Sequence, residues 1–363
     1  MSVVLPNHNH ARHLPTALDA ILGQARPADE VIVVDDGSTD HSLSVIEGYA
    51  REHPSVRLLA LGHNQGAVAA LTAGLAAATG RYVYLGAADD EVLPGFFELG
   101  LERLEGHPEV GLFTGTTLLE DAASGRRTGR RPAVWPRYWP GVVSPARAAQ
   151  LLRTSDNWVL TGASLLLNEA ISEAGGLAAD LGSFVDGFLV RKIALRRGFY
   201  FHPRPVAVWK VDKASLSRRT ATSPEEAAKA LALYSERIGA DPLFPSGYAE
   251  EFGRRWRFAT ARIALELPVE ERAVIQAVAA ERPLDREVLV RLAPRLPDRL
   301  SRAVSLCWLY VRLRPTTLWG VLVSGVAGRL AWPRQGQRRD LAVPEQPALP
   351  GSDVQICPSN DDA

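Results

Sequence analysis

The sequence predicts an α/β fold: a mostly parallel central sheet flanked by helices, with a C-terminal helical extension. Three observations carry that expectation. Short β-branched runs without polar alternation, Val3-Val4-Leu5 and Val31-Ile32-Val33-Val34, suit strands covered on both faces. Segments with helical spacing lie between such runs, as in βαβ units. From Ser223 onward, alanine- and arginine-rich apolar periodicity predicts helices to about Trp332.

Each early element follows from its residues. Leu14, Ala17, Leu18, Ile21 and Leu22 recur at three- and four-residue spacing, and Ala25 to Pro27 closes that helix. Ser38 or Asp40 can cap a helix carrying Leu43, Ile46 and Tyr49. Val56 to Leu59 reads as strand, Ala67 to Ala78 as a small-residue helix, and Arg81 to Leu85 as the fourth strand. Residues 96 to 106 read as helix and Gly111 to Leu119 as strand, while Ala122 to Gly141, rich in Arg, Pro and aromatics, reads as a loop. Beyond it the pattern loses regularity. The last thirty residues, proline-bearing and poor in large apolar groups, are expected to be a disordered tail.

Bulk composition narrows the function classes. At 363 residues the length favours a core domain plus an appendage. Lys+Arg and Asp+Glu both number 41, so the whole-protein field gives no reason to expect a nucleic-acid partner. Cys307 and Cys357 are far apart and outside any metal-ligand spacing, which fits a reducing compartment without a disulfide framework. The start, MSVVLPNHNH, has neither a basic leader nor a long apolar stretch and is expected to enter the first strand directly, on the cytoplasmic side. Near the C-terminus Arg312, Arg314 and Pro315 divide the apolar stretches into pieces shorter than the roughly 20 residues of a spanning helix.

Ligands of parallel sheets bind at the carboxyl ends of strands, where Asp35, Asp36, Asp89 and Asp90 all fall. VDDGSTD, Val34 to Asp40, sets two acids at a strand end, and one can accept hydrogen bonds from a base or ribose; Asp36 is the choice, with a strand-to-helix turn as the plainer alternative. His8, His10 and His13 share no regular period, so a solvated turn outweighs a metal site.

Four stretches read together, PNHN (Pro6 to Asn9), VDDGSTD, ADDEVLPG (Ala88 to Gly95) and the lone acid Asp186, resemble family 2 of the glycosyltransferases. The resemblance covers roughly residues 2 to 217 and implies a GT-A fold, Rossmann-like in its sheet. It implies an inverting transfer from a nucleotide-sugar donor to a glycan or lipid-linked acceptor, as in bacterial cell-wall or polysaccharide assembly. Residues 1–105 are expected to form the nucleotide-sugar-binding half, 106–220 the acceptor-binding half, 221–335 the helical extension and 336–363 the tail.

By the same resemblance Pro6, His8, Asn9, Asp36, Ala88 and Asp89 serve the nucleotide sugar. Asp89, five residues before Pro94, inherits the role of metal ligand for Mn2+ or Mg2+. Ala87 stands where the family's first acid would be, so Asp90 is expected to contribute; Asp212, in the divergent closing loop WKVDKASLS, is either a further ligand or a loop acid. Asp186 takes the place of the catalytic base, with an N-cap as the alternative, and Val185 replaces the acid usually beside it. Trp158 and Gly162 are expected to shape the acceptor wall or else to pack in the core. Trp308, Tyr310, Trp319 and Trp332, among Arg302, Arg312, Arg314 and Arg329, suit either peripheral contact with the inner face of the plasma membrane or packing against the catalytic domain. The rival class is a non-catalytic sugar-nucleotide-binding scaffold, motivated by Ala87 and Val185. A nucleotidyltransferase is disfavoured because PNHNHARH is not a glycine-rich basic loop.

Overall fold

The computed structural model describes residues 1–211, 216–316, 323 and 326. Four parallel strands form one side of the sheet: β1 (Ser2–Asn7), β2 (Glu30–Asp35), β3 (Val56–Ala60) and β4 (Tyr82–Leu85). Helices α1 (Leu14–Leu22), α2 (Ser42–Glu52) and α3 (Ala67–Ala77) connect them. The valine and leucine runs of β1 and β2 are fully buried, as strands covered on both faces must be.

The chain then adds β5 (Glu91–Val92), α4 (Phe96–Gly106), β6 (Leu112–Asp121), β7 (Arg127–Arg131), β8 (Gly141–Val143), α5 (Pro145–Leu151), β9 (Ser164–Leu167), α6 (Asn168–Glu173), α7 (Val185–Arg197) and β10 (Phe199–Val211). The sheet order is β3-β2-β1-β4-β9-β6-β10-β5, with β7 on β6 and β8 on β10. β9 runs antiparallel to both β4 and β6, while β6 and β10 are parallel, so the sheet is mixed beyond β4. The chain steps outward from β1 through β2 to β3 and returns on the other side of β1 as β4. That reversal opens a crevice beyond the carboxyl ends of β1 and β4, where ligands of open α/β sheets bind.

The segment expected to be a loop, 122–141, is instead partly a hairpin: β7 pairs antiparallel with β6, setting Thr117 opposite Arg131 and Leu119 opposite Gly129. Its arginines hid it, because an edge strand has no need of apolar alternation and tolerates charge. Within that segment Trp135 is buried near Phe201, whereas Trp139 is 78% exposed.

The extension comprises α8 (Leu216–Thr222), α9 (Pro224–Ala240), α10 (Tyr248–Ala264), α11 (Ala273–Val278), α12 (Pro283–Arg286) and α13 (Asp298–Leu313). Ser223 caps α9, its Oγ accepting the Glu226 N–H. Tyr234, Ile238, Phe244, Tyr248 and Phe252 join the core of the sheet, and a second cluster, including Ala261, Ile275, Leu289 and Leu309, is internal to the extension. Trp308, for which headgroup contact and packing against the protein were both open, points inward and donates its indole N–H to buried Asp285 (3.1 Å). Trp319, Trp332, Cys357 and the expected tail 336–363 lie outside the described residues. No helix among the described residues is long and apolar enough to cross a membrane.

A buried polar chain joins the extension to the sheet. Arg255 Nη1 on α10 donates to the Leu152 carbonyl (2.7 Å) and to Asp156 (3.3 Å). Asp156 also accepts the Tyr248 hydroxyl (3.2 Å), and that hydroxyl in turn accepts Arg191 Nε on α7 (3.1 Å). Removing Asp156 leaves the Arg255 and Arg191 charges in the interior without their shared acid, a change that costs about 3 kcal/mol or more. Asp156→Ala should therefore lower Tm by several degrees in a thermal melt, whereas an unchanged Tm would mean that apolar packing alone holds the junction.

Candidate active site

The site begins with two stitched loops at the ends of β1 and β2. Asn7 Nδ2 donates to Asp35 (2.8 Å) and Ser38 (3.1 Å), and Asp35 accepts both the N–H (3.0 Å) and the hydroxyl (2.6 Å) of Ser38. Asn9, at φ 58°, donates its N–H to Ser38 Oγ (3.0 Å), and its side-chain oxygen accepts the Thr39 N–H (2.7 Å). His8 Nδ1 meets the Asp36 carbonyl (2.8 Å), which only accepts, so Nδ1 carries the proton; Nε2 is then the acceptor for Asn64 Nδ2 (2.9 Å).

Asp36 is 2% exposed, and its carboxylate accepts the N–H groups of Gln65 (2.7 Å) and Gly66 (2.8 Å), fixing the approach to α3. The turn needs Gly37: at φ 66° a Cβ there would stand 2.5 Å from the backbone of His63. Asp40 caps less directly than expected. It accepts the N–H groups of Ser42 (2.9 Å) and Ala11 (3.0 Å), while His41 occupies the N-cap of α2.

Past the end of β4 the chain turns through Gly86, Ala87, Ala88 and Asp89, with the Asp90 N–H bonded to the Ala87 carbonyl, and enters β5. A cavity of about 310 Å3 opens here, lined by Pro6, Asp90, Thr161, Gly162, Asp186 and Trp209 among others. Val208 divides it from a neighbouring hollow of about 540 Å3 that holds Asp89 together with His10, His13, Glu120, Arg127 and Lys210. Asp90 and Asp186 are thus brought into one cavity and Asp89 faces the adjoining one. His8, Asn9, Asp36 and Ala88 line neither, and the first three act by tying loops beside the crevice.

Burial, and then the charge of Asp89, push the Asp90 carboxyl up to about 8, against the opposing Lys210 N–H that its Oδ1 accepts (3.1 Å). Asp89 and Asp90 offer oxygen donors of the kind a hard divalent cation takes, and they open into adjoining cavities. Among the described residues no group of three His, Cys, Asp or Glu could hold a metal by itself. Asp212, with residues 213–215 of its closing loop, lies outside the described residues.

Asp186 is the second residue of α7, whose N-cap is Phe184, so it does not supply the cap that was the alternative reading. Its Oδ1 accepts the Gly187 N–H (2.6 Å) and its Oδ2 the Thr161 hydroxyl (3.0 Å). Arg191 Nη1 holds the same turn through the Gly187 carbonyl (2.6 Å), and the Arg191 Cζ lies 5.0 Å from the Phe184 ring centroid. Sequence reasoning missed Thr161 and Arg191; the available signal was an arginine amid the apolar residues of α7. Trp158, for which acceptor wall and core were both open, is 1% exposed and stacked on Phe199 with centroids 4.8 Å apart. Its indole N–H finds the Ser155 carbonyl, so core packing holds it behind the wall formed by Leu160 to Gly162.

Asp90 gives a pH dependence with a definite sign. An acid whose folded pKa is raised contributes stability below the ordinary carboxyl range, and loses it as pH climbs through about 8. Between about pH 5 and pH 9 without metal, Asp90→Asn should gain Tm relative to wild type. Parallel pH profiles would show that the carboxyl is not desolvated.

The family model described as Glycosyl transferase family 2 matches residues 2–151, which include Asp36, Asp89 and Asp90 but not Asp186. The uncharacterized glycosyltransferase YibD of Escherichia coli K12 is 40% identical over 98 residues, 27% of this chain and 28% of that protein. The chain covers between 28% and 47% of the lengths of the first curated relatives it matches. Two solved structures share the fold. S. aureus TarS 1-349 in complex with UDP-GlcNAc has a TM-score of 0.56 at 15% identity, over 87% of this chain and 92% of that one. The mannosyltransferase PcManGT of Pyrobaculum calidifontis, in complex with GDP-Man and Mn2+, has a TM-score of 0.54 at 19% identity, over 92% of this chain and 87% of that one. Residues 2–151 thus match the model of glycosyl transferase family 2, with the carboxylates of that segment at the carboxyl edge of a sheet that resembles those of GT-A glycosyltransferases.

Proposed function

We propose that the chain transfers a sugar from a nucleoside-diphosphate donor to a hydroxyl of a glycan or lipid-linked acceptor, with inversion in a single displacement. The observation that carries this reading is that Asp90 and Asp186 face one cavity at the switch point of the sheet. In it, the acceptor oxygen attacks the anomeric carbon from the face opposite the diphosphate, the bond to the leaving phosphate oxygen breaks, and the acceptor proton passes to Asp186. The Thr161 hydroxyl and Gly187 N–H fix the carboxylate of Asp186 for that transfer. Asp89 and Asp90 would hold a divalent cation, Mn2+ or Mg2+, whose charge offsets that of the departing diphosphate.

Residues 1–105 then serve the donor, 106–220 the acceptor, and 221–335 form the extension. We place the reaction on the cytoplasmic face of a membrane, with peripheral contact made through the extension. Support for the peripheral contact comes from Leu300 and Val311 of α13, which are 50% and 71% exposed.

Two experiments test the assignment. A panel of UDP- and GDP-sugars with Mn2+ should include a donor that raises Tm, since a ligand at 100 times its Kd stabilises the native state by about 2.7 kcal/mol; no response to any donor would count against the reading. Asp186→Asn should keep that donor response and lose transfer by about 100-fold or more, the lower range of general-base contributions. Full transfer by the variant would remove Asp186 from the reaction, and donor binding without turnover by wild type would favour a scaffold in which Ala87 and Val185 mark lost acids.

A further inference from the structure

On another part of the molecule, where the turn after α5 meets α10 and α13, lies a cavity of about 620 Å3 whose charged lining is Arg153, Arg254, Arg255, Arg314 and Glu251. Glu251 pairs with Arg254 and with Arg255 (3.4 Å), and Arg255 also meets Asp156 (3.3 Å). Four guanidinium groups are therefore answered by two carboxylates. The surplus sits on Arg153 and Arg314, which have no ion pair or side-chain hydrogen bond among the described residues. Arg255 is 8% exposed and is held by the carbonyls of Leu152 (2.7 Å) and Pro315 (3.2 Å), so one guanidinium is fixed before any ligand arrives.

Arg314 has a second peculiarity. It ends α13 in the left-handed conformation, φ 45° and ψ 59°, a position that glycine fills without steric penalty. The helix keeps a strained arginine there, and its side chain lines the cavity.

We propose that this cavity binds a phosphate group, gripped by the fixed Arg255 and the two unpaired arginines, whose planar forks match phosphate oxygens. The rim adds an apolar element. Leu300, Ala303, Cys307 and Val311 are exposed on α13 at spacings of three and four residues, and Val311 lines the cavity mouth. A phosphate ester with an apolar remainder, or a free phosphate, meets the same arginines. The lipid source rests on the membrane contact proposed above, whereas anion binding by the cavity does not.

The test uses the full chain and the double variant Arg153→Ala/Arg314→Gly. Glycine at 314 relieves the left-handed backbone, so Tm should hold or rise while binding falls, which separates a lost site from a lost fold. Arg295→Ala/Arg299→Ala, two exposed arginines away from the cavity, removes the same charge as a control. Inorganic pyrophosphate is titrated by calorimetry, and the proteins are co-sedimented with phosphatidylcholine vesicles with and without phosphatidylglycerol. Wild type and control should bind one or both probes, and the cavity variant should bind at least tenfold more weakly. Loss confined to the phosphatidylglycerol vesicles assigns a lipid source, and loss confined to pyrophosphate a soluble one. Failure of wild type to bind either probe, or equal weakening of both variants, overturns the proposal.

Discussion

A carboxyl group buried beside another carboxyl is costly to ionise unless a cation arrives, and Asp90 is in that position. It follows four residues of turn after β4, with Asp89 before it, and Lys210, through its N–H at 3.1 Å and its side-chain charge, favours the ionised form without overcoming the burial. The sheet enforces the placement. β4 must lie beside β1 for its apolar run to be covered on both faces, and its carboxyl end then opens at the point where strand order reverses. On the function proposed above, a diphosphate-bound cation would supply the missing charge.

The opposite wall is organised by the second half of the chain. Asp186 is set by α7, and α7 is set in turn by Arg191, whose partner Tyr248 belongs to the extension. Through Asp156 the same chain of contacts reaches Arg255, one wall of the arginine-lined cavity. The extension is thus part of what holds the proposed base in place, and its polar contacts lie in the interior, where a partner lost is felt most.

How much of this could be read beforehand follows from which forces are local. β1 to β4 and the helices between them are visible as β-branched runs and three- to four-residue periodicity, because their burial is nearly complete. β10 was not, since Pro203 and Pro205 interrupt it and its register against β6 shifts on both sides of Pro205. The acids at positions 36, 89, 90 and 186 stand out by type and spacing, yet their surroundings do not. Nothing in VDDGSTD announces that Asp36 is already engaged by the amides of Gln65 and Gly66. Thr161 meets Asp186 across 25 positions and Arg255 meets Asp156 across 99, separations at which no sequence period operates. Trp158 was open between wall and core from its residue type alone, and stacking on Phe199 decided it.

The most direct measurement is the anomalous scattering of Mn2+ in crystals of the protein grown with a nucleoside diphosphate. The account predicts an ion within about 2.5 Å of a carboxylate oxygen of Asp89 or Asp90, the inner-sphere range of hard cations, with Asp186 across the cavity and not among its ligands. An ion bound to neither aspartate would contradict it, as would a nucleotide seated away from the switch point.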